Sequence, residues 1–431
     1  MRRRRRNERR TMAETPREAH RTVITAAPSL WRNPDYVLLW TGQTISMAGS
    51  NMTGLAFPLL VLALTHSPAQ AGIVEALAAV PYVVLSLPAG ALVDRWNRRR
   101  TMIVCDLGRA AALGSIPLAM WFGYLSIIQL YIVAVVGGVL FVFFDLASTA
   151  ALPRLVSGRH LTAAIAQGQA SAYTAGLLGP PLGGFLYQVQ SAVPFAVDAL
   201  SYGASVAGLL SIKTRFQPDG HAKREPLRTE IREGVAWLWN HHLFRDMALL
   251  TAAINVVMST SGLILIIIAR NQHASPWMIG ALFAAAGVGG IIGSAMAPMV
   301  SKRLSFGQAI IGTLWLQTVI WPLFALAPNS VVLGLVNAAL AFVGPTFNVV
   351  LVSYRLAHTP DPLQGRVNSA VRVMTFGGPP LGLALSGVLL QTVGAHPTVW
   401  IFAACLLLLA MAASLNPRVR KAQLLAPRPS A

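Results

Sequence analysis

The sequence predicts an all-α membrane protein of twelve transmembrane helices arranged as two six-helix bundles. Three observations predict it. The 431-residue chain is 55% hydrophobic and only 11% charged, with a mean hydropathy of +0.58; a soluble domain typically carries about 25% charged residues. Twelve apolar runs follow one another, each long enough to cross a hydrocarbon core about 30 Å thick. Basic residues crowd alternate connectors between those runs.

The runs fall at about 36–64, 71–93, 101–122, 125–147, 163–187, 193–212, 246–270, 276–300, 307–327, 330–354, 366–389 and 396–415. Backbone groups in lipid must pair within their own segment, so these runs are helices. The alternating segments of about ten residues that would build a β-barrel are absent. If the spans alternate in direction, 33 of the 34 lysines and arginines lie on one side and only Arg270 on the other. That asymmetry puts both termini in the cytoplasm of a cell whose inner (plasma) membrane the chain crosses. It also accounts for the net charge of +19 without nucleic acid as a partner.

Residues 1–35 form a basic tail opening Met1-Arg2-Arg3-Arg4-Arg5-Arg6, expected to be disordered, to fix orientation and to touch anionic lipid. The first apolar run is too long, and the basic residues too far ahead of it, for a cleavable signal. Residues 36–212 make the first bundle and 246–415 the second, with 416–431 a short cytoplasmic tail. Between the bundles, 213–245 holds Gln217-Pro218-Asp219-Gly220 and an amphipathic stretch. There Ile231, Val235, Leu238 and Trp239 recur at helical spacing, which predicts a helix on the inner membrane surface. The halves echo each other: Gly179-Pro180-Pro181-Leu182-Gly183 in span 5 recurs as Gly378-Pro379-Pro380-Leu381-Gly382 in span 11, and Gln169 and Asn368 share the same offset. Duplication with parallel six-helix repeats is the expected origin.

Enzyme chemistry finds no support. No H-E-x-x-H, G-x-x-x-x-G-K-[ST] or G-x-S-x-G motif occurs, and the nine histidines lie in tails, connectors or span edges. Cys105 and Cys405 sit inside spans, far apart, and read as buried thiols rather than a disulfide or metal site. No cofactor and no metal are expected.

The connector between spans 2 and 3 reads Gly90-Ala91-Leu92-Val93-Asp94-Arg95-Trp96-Asn97-Arg98-Arg99. An acid among guanidiniums beside helix ends suits a switchable contact. The segment resembles the loop signature G-x-L-x-D-R-x-G-R-[RK] of the major facilitator superfamily, with Asn97 in place of Gly. In related transporters the acid meets the start of span 11, and the later Arg pairs with an acid on span 4. The resemblance therefore implies that Asp94 meets Gly365-Arg366 and that Arg98 pairs with Asp145. A gate built from Gly90, Asp94, Arg95, Arg98, Arg99 and Asp145 follows. Span 5, from Gly176 through Gly179, Pro180, Pro181, Gly183 and Gly184, partly matches the G-x-x-x-G-P-x-x-G-G signature of the exporting branch. Prolines that remove donors and glycines that admit a close neighbour make it, with Gly378, Pro379 and Pro380, a hinge or seal. Leu39-Trp40-Thr41-Gly42-Gln43, Phe144-Asp145-Leu146-Ala147 and Ala199-Leu200-Ser201-Tyr202 resemble the branch of enterobactin exporters and macrolide efflux proteins, over most of residues 30–415.

Acids inside a membrane are functional suspects, at a cost of about 2.5–3.5 kcal/mol near its centre. Glu75 on span 2 and Asp198 on span 6 are the candidates for carrying protons. Asp106 and Arg109, three residues apart on span 3, can each offset the other's cost. On span 1, Gln43, Ser46, Ser50 and Thr53 form one polar stripe, flanked by Met47 and Asn51. The resemblance implies that spans 1, 4, 7 and 10 line a central path. Candidate substrate contacts are then Gln43, Ser46, Met47 and Asn51, with Asn255 and Met258 on span 7, Phe347 and Asn348 on span 10, and Asn368 on span 11. The expected function is proton-coupled export of a small amphipathic molecule, drug-like or a siderophore, by alternating access of a monomer in the lipid bilayer. An importer of the same fold is the alternative, and a non-transporting sensor or scaffold the more distant one.

Overall fold

A computed structural model describes residues 30–214, 216–217, 236–359 and 364–422. The tail before residue 30 and the start of the amphipathic stretch, with Ile231 and Val235, lie outside the described residues. So do the side chains of Arg366 and Asn368. Twelve long helices follow one another: α1 (Pro34–Thr65), α2 (Pro68–Val93), α3 (Arg98–Phe122), α4 (Ile127–Leu155), α5 (Gly158–Val189), α6 (Val193–Ser211), α7 (His242–Asn271), α8 (Pro276–Arg303), α9 (Phe306–Leu326), α10 (Ser330–His358), α11 (Gln364–Thr392) and α12 (Ala395–Leu415). The short α13 (Pro417–Lys421) follows. Helical hydrogen bonding breaks at Thr260 within α7 and at Trp321–Pro322 within α9. Eleven are long and apolar enough to cross a membrane. The twelfth, α5, spans 32 residues but carries Arg159, His160, Gln167 and Gln169.

Local chemistry sets the helix starts. Asn33, Ser67, Ser126, Ser275 and Asn329 each accept a backbone N–H of the first turn, and Ser305 with Gln308 forms a capping box at α9. Asn97, the departure from the loop signature, caps α3: its side chain accepts from Arg100 N at 3.0 Å. Several helices run past the apolar stretch that predicts them, α4 reaching Leu155 rather than stopping near 147. Polar residues continue a helix once water can solvate them. The first hairpin of each half turns through a left-handed histidine, His66 at φ 54° and His273 at φ 58°. That shared geometry agrees with duplication.

Packing repeats the symmetry. α5 lies against α1 of its own half and α8 of the other, and α11 lies against α7 and α2 in the same way. Both seams depend on missing side chains. A Cβ on Gly183 would meet Met52 Cα at 2.7 Å, and one on Gly378 would meet Ala252 O at 2.7 Å. Across the halves, a Cβ on Gly280 would meet Pro181 Cα at 2.7 Å, and one on Gly387 would meet Pro68 O at 2.7 Å. Such stripes let backbones approach in lipid, where dispersion holds helices together.

The core is divided unequally. Leu30 packs with Met102, Leu155 and Ile212, and Ala422 accepts from Gly307 N. Both ends of the described chain therefore lie at one end of the bundle, called proximal below. At the distal end a single apolar core joins the halves: Leu55–Leu62 of α1, Val74 of α2 and Val133 of α4 meet Leu263–Ala269 of α7, Leu282 of α8 and Leu333 of α10. At the proximal end there are two separate cores. One holds Leu39, Met102, Phe144 and Leu209 of the first half; the other holds Met247, Phe306, Phe347 and Val350 of the second. Within the described end of the amphipathic stretch, Leu238 is buried against Val367 and Val371 of α11. That part of the linker packs on protein.

Candidate binding cavity

A cavity of about 380 Å³ opens within the first half, lined from α1, α2, α3, α4 and α6. Gln43, Ser46, Met47, Ser50 and Asn51 of α1 reach it, as do Asp145 of α4 and the rings of Phe57, Phe141, Phe144 and Tyr202. The stripe on α1 thus faces the cavity at its proximal end and helices at its distal end. Ser50 Oγ bonds Tyr202 Oη at 2.9 Å, and Thr53 Oγ1 donates to Asp198 Oδ2 at 2.7 Å.

The second-half candidates lie elsewhere. Asn255 Nδ2 donates to Thr375 O at 3.0 Å, joining α7 to α11. Met258 packs against both the distal core and that of the second half. Phe347 is buried in the second-half core with Met247 and Val350. Asn348 is exposed. Helix α11 carries Asn368, whose side chain lies outside the described residues.

Asp198 is buried and well supplied with donors. Besides Thr53, Ser201 Oγ donates to its Oδ1 at 3.1 Å, and α1 comes close enough that a Cβ on Gly49 would meet Asp198 Cα at 3.1 Å. This is a brace between α1 and α6. Replacing Asp198 by Ala leaves the buried Thr53 hydroxyl without its acceptor, while Ser201 Oγ keeps the backbone carbonyl of residue 198 at 2.7 Å, so a loss of about 1–3 kcal/mol is expected. A thermal melt in detergent measures it, with Asp198→Asn, which keeps an acceptor, losing less. Glu75 differs. It is half-buried on α2 beside the α2–α11 seam, where Gly72 abuts Gly387, and makes no hydrogen bond or ion pair among the described residues.

The proximal loop departs from expectation in one pairing. Arg98 is buried, and its guanidinium donates to Ala150 O at 2.9 Å, Phe216 O at 3.2 Å and Asp94 Oδ1 at 3.2 Å. It does not meet Asp145: its Nη1 is held by the two carbonyls and its Nη2 by its own loop's acid. Arg99 donates to Leu209 O at 2.6 Å and Leu210 O at 2.5 Å, tying the loop to the end of α6. Arg95 is exposed, and Gly90 has open space around it. The expected seat of Asp94 at Gly365-Arg366 involves side chains outside the described residues.

Asp145 instead meets α11. Arg372 Nη2 lies 3.4 Å from Asp145 Oδ2. Tyr82 Oη donates to the same oxygen at 3.5 Å and accepts from Arg372. The Arg372 guanidinium also stands 5.8 Å from the Phe376 ring centroid. This cluster joins α2 and α4 of one half to α11 of the other. It separates the main cavity, which Asp145 lines, from a smaller one of about 100 Å³ bounded by Tyr82 and Arg372. Tyr82 carries no sequence signal, since its partners are distant in the chain.

Glycines Gly179, Gly183 and Gly184 and Pro180 and Pro181 stand where α5 meets α1 and α8. Gly179 approaches Asn51, Gly184 approaches Trp277, and Gly176 is looser, its nearest neighbour being Asn51 Oδ1 at 3.9 Å. In α11, Gly378 takes the place of Gly179 against α7, with Pro379 O accepting from Ser259 Oγ at 3.3 Å and Pro380 buried behind it. Among the described residues there is no group of three His, Cys, Asp or Glu that would hold a metal.

Residues 25–431 match the family described as transmembrane secretion effector. The chain is 28% identical over 407 residues to the multidrug efflux pump Tap of Mycolicibacterium fortuitum, covering 91% of this chain and 98% of that protein. It is 24% identical over 365 residues to the enterobactin exporter EntS of Escherichia coli O1:K1, covering 82% and 85% respectively. Its fold matches the crystal structure of nucleoside transporter NupG with a TM-score of 0.71 at 14% identity, over 88% of this chain and 98% of that one. A bacterial homologue of the iron transporter ferroportin, solved in an inward-facing state, gives 0.67 at 16% identity over 88% and 98%. The chain is a multi-pass membrane protein that belongs to the transmembrane secretion effector family of the major facilitator superfamily.

Proposed function

We propose that this protein exports a small amphipathic organic molecule, drug-like or a siderophore, from the cytoplasm across the inner membrane. It works as a monomer, by alternating access driven by inward proton flow. The observation that carries the reading is the unequal division of the core, with one core shared by both halves distally and two separate cores proximally. Two bundles that rock about a central site would pack in this way while the site communicates with the proximal side. The distribution of lysine and arginine supports a cytoplasmic proximal end.

Export is supported by similarity to Tap and EntS, whose names state efflux and export. A cavity walled by Met47, Phe57, Phe141 and Phe144 suits apolar cargo of variable shape. Glu75, without a partner at the distal seam, is the better placed of the two acids to load and release a proton. One proton moving down about 100 mV supplies about 2.3 kcal/mol, enough for modest uphill export. The loop residues Asp94, Arg98 and Arg99 brace the proximal corner of the first half in this state.

Purified protein in proteoliposomes, given an imposed pH gradient and a pair of oppositely charged dyes, fluorescein and ethidium, as probes, tests the reading. Dye movement opposite to the proton gradient is expected, and Glu75→Gln should remove its pH-driven component. Dye moving in the same direction as the protons would favour the importer. Absence of any flux, for either dye and for a wider panel of toxic compounds in a pump-deficient host, would overturn transport.

A further inference from the structure

We propose that Arg109 is an anion-binding group in the cavity wall, and that the favoured cargo is an amphipathic organic anion bearing a carboxylate or similar oxyanion. This deepens the exporter reading and rests on it.

Arg109 is 7% exposed and still lines the cavity. Its guanidinium carbon stands 4.5 Å from the ring centroids of both Phe144 on α4 and Tyr202 on α6. Rings this close hold the guanidinium in place by cation–π attraction. A guanidinium carries five N–H donors. Asp106 takes one of them, through Oδ1 to Nη2. Arg109 Nε is enclosed without a hydrogen-bond partner, and Nη1 makes no hydrogen bond among the described residues. The hydroxyl of Tyr202 is engaged by Ser50 instead.

Burying a guanidinium with most of its donors unused is costly unless a partner arrives. Asp106, fully buried one turn away, offsets the charge and leaves donors for a second oxyanion. A planar fork of this kind matches a carboxylate in two-bond geometry. The cavity's other charged group, Asp145, is already held by Arg372. The spare hydrogen-bonding capacity on the wall is thus cationic, and it disfavours a positively charged ligand at that point.

The test uses two dyes with the same fused-ring frame and opposite charge, fluorescein and rhodamine 6G, binding to the full-length protein in nanodiscs. Wild type is expected to bind fluorescein at least tenfold more tightly. Arg109→Gln should weaken fluorescein at least tenfold while leaving rhodamine 6G unchanged or tighter. Because that variant leaves Asp106 buried and unpaired, Asp106→Asn with Arg109→Gln removes both charges together and should show the same selective loss. Equal affinity for the two dyes in wild type, equal losses in the variants, or fluorescein binding retained by the folded double variant would each overturn the proposal. Selective binding without export in liposomes would sink the exporter reading and leave the anion site standing. Export with no preference for fluorescein would do the reverse.

Discussion

Gly72→Leu should cut transport at least tenfold and hold the distal end apart. A Cβ at this position would come 2.5 Å from Leu383 O and 2.8 Å from Gly387 Cα, and the obstacle is backbone, which cannot rotate away. Forcing extra side-chain volume into such a seam typically costs about 1–3 kcal/mol. In a two-state equilibrium each 1.4 kcal/mol is about tenfold in population, so the distally closed state becomes roughly five to 150 times rarer. The fold need not suffer, because the seam is between halves that each keep their own helices. Spin labels at His66→Cys and Val393→Cys, in a background without the native cysteines, should report a longer distance in the variant than in wild type. Gly54→Leu is the control, since nothing lies within 4 Å of a Cβ there. A Gly72→Leu variant that transports at the wild-type rate would show that closing this seam is not part of the cycle.

The sequence carries the spans plainly because a helix in lipid must hide its backbone along its whole length, which leaves an unbroken apolar run. Where that requirement lapses, the run stops before the helix does, as at α4 beyond residue 147. Asn97 reads as a flaw in a loop signature until its side chain is seen capping α3. The cavity is legible where one helix defines it: the spacing of Gln43 and Ser46, with Met47 and Asn51 beside them, sets a face of α1, and that face meets the cavity. The pairing of Asp106 with Arg109 is legible for the same reason, being one turn of one helix.

What the sequence conceals is which faces meet. Phe347 and Asn255 lie on helices correctly located, yet one turns into the second-half core and the other bonds α11. Periodicity gives a direction within a helix and says nothing of the neighbour in that direction. Arg98 was matched to Asp145 by resemblance, while the structure supplies it with carbonyls at Ala150 and Phe216. Those acceptors are backbone atoms, which every residue type carries, so no choice of residue in the chain marks them.

The contact that does hold Asp145 should matter more for movement than for stability. Arg372 and Asp145 lie 3.4 Å apart with their side chains 48% and 31% exposed, and pairs so open contribute about 0–1 kcal/mol. Arg372→Gln is therefore expected to melt within a few degrees of wild type. Transport should respond differently, because this pair, with Tyr82, bridges the halves beneath the cavity where their cores are otherwise separate. If cargo reaches the proximal side only when the bridge opens, losing it removes one step's control and lets the halves part without cargo. Arg372→Gln and Asp145→Asn should each lower pH-driven flux about tenfold. The double variant should be no worse than the weaker single, since both remove the same contact. Tyr82→Phe, which keeps the ring beside Phe376 and loses the hydroxyl, should fall between wild type and the singles. Initial rates in proteoliposomes, normalised to reconstituted protein, provide the comparison. Additive losses in the double variant would mean that Arg372 and Asp145 act separately, and the bridge would then be a contact of this state with no part in the cycle.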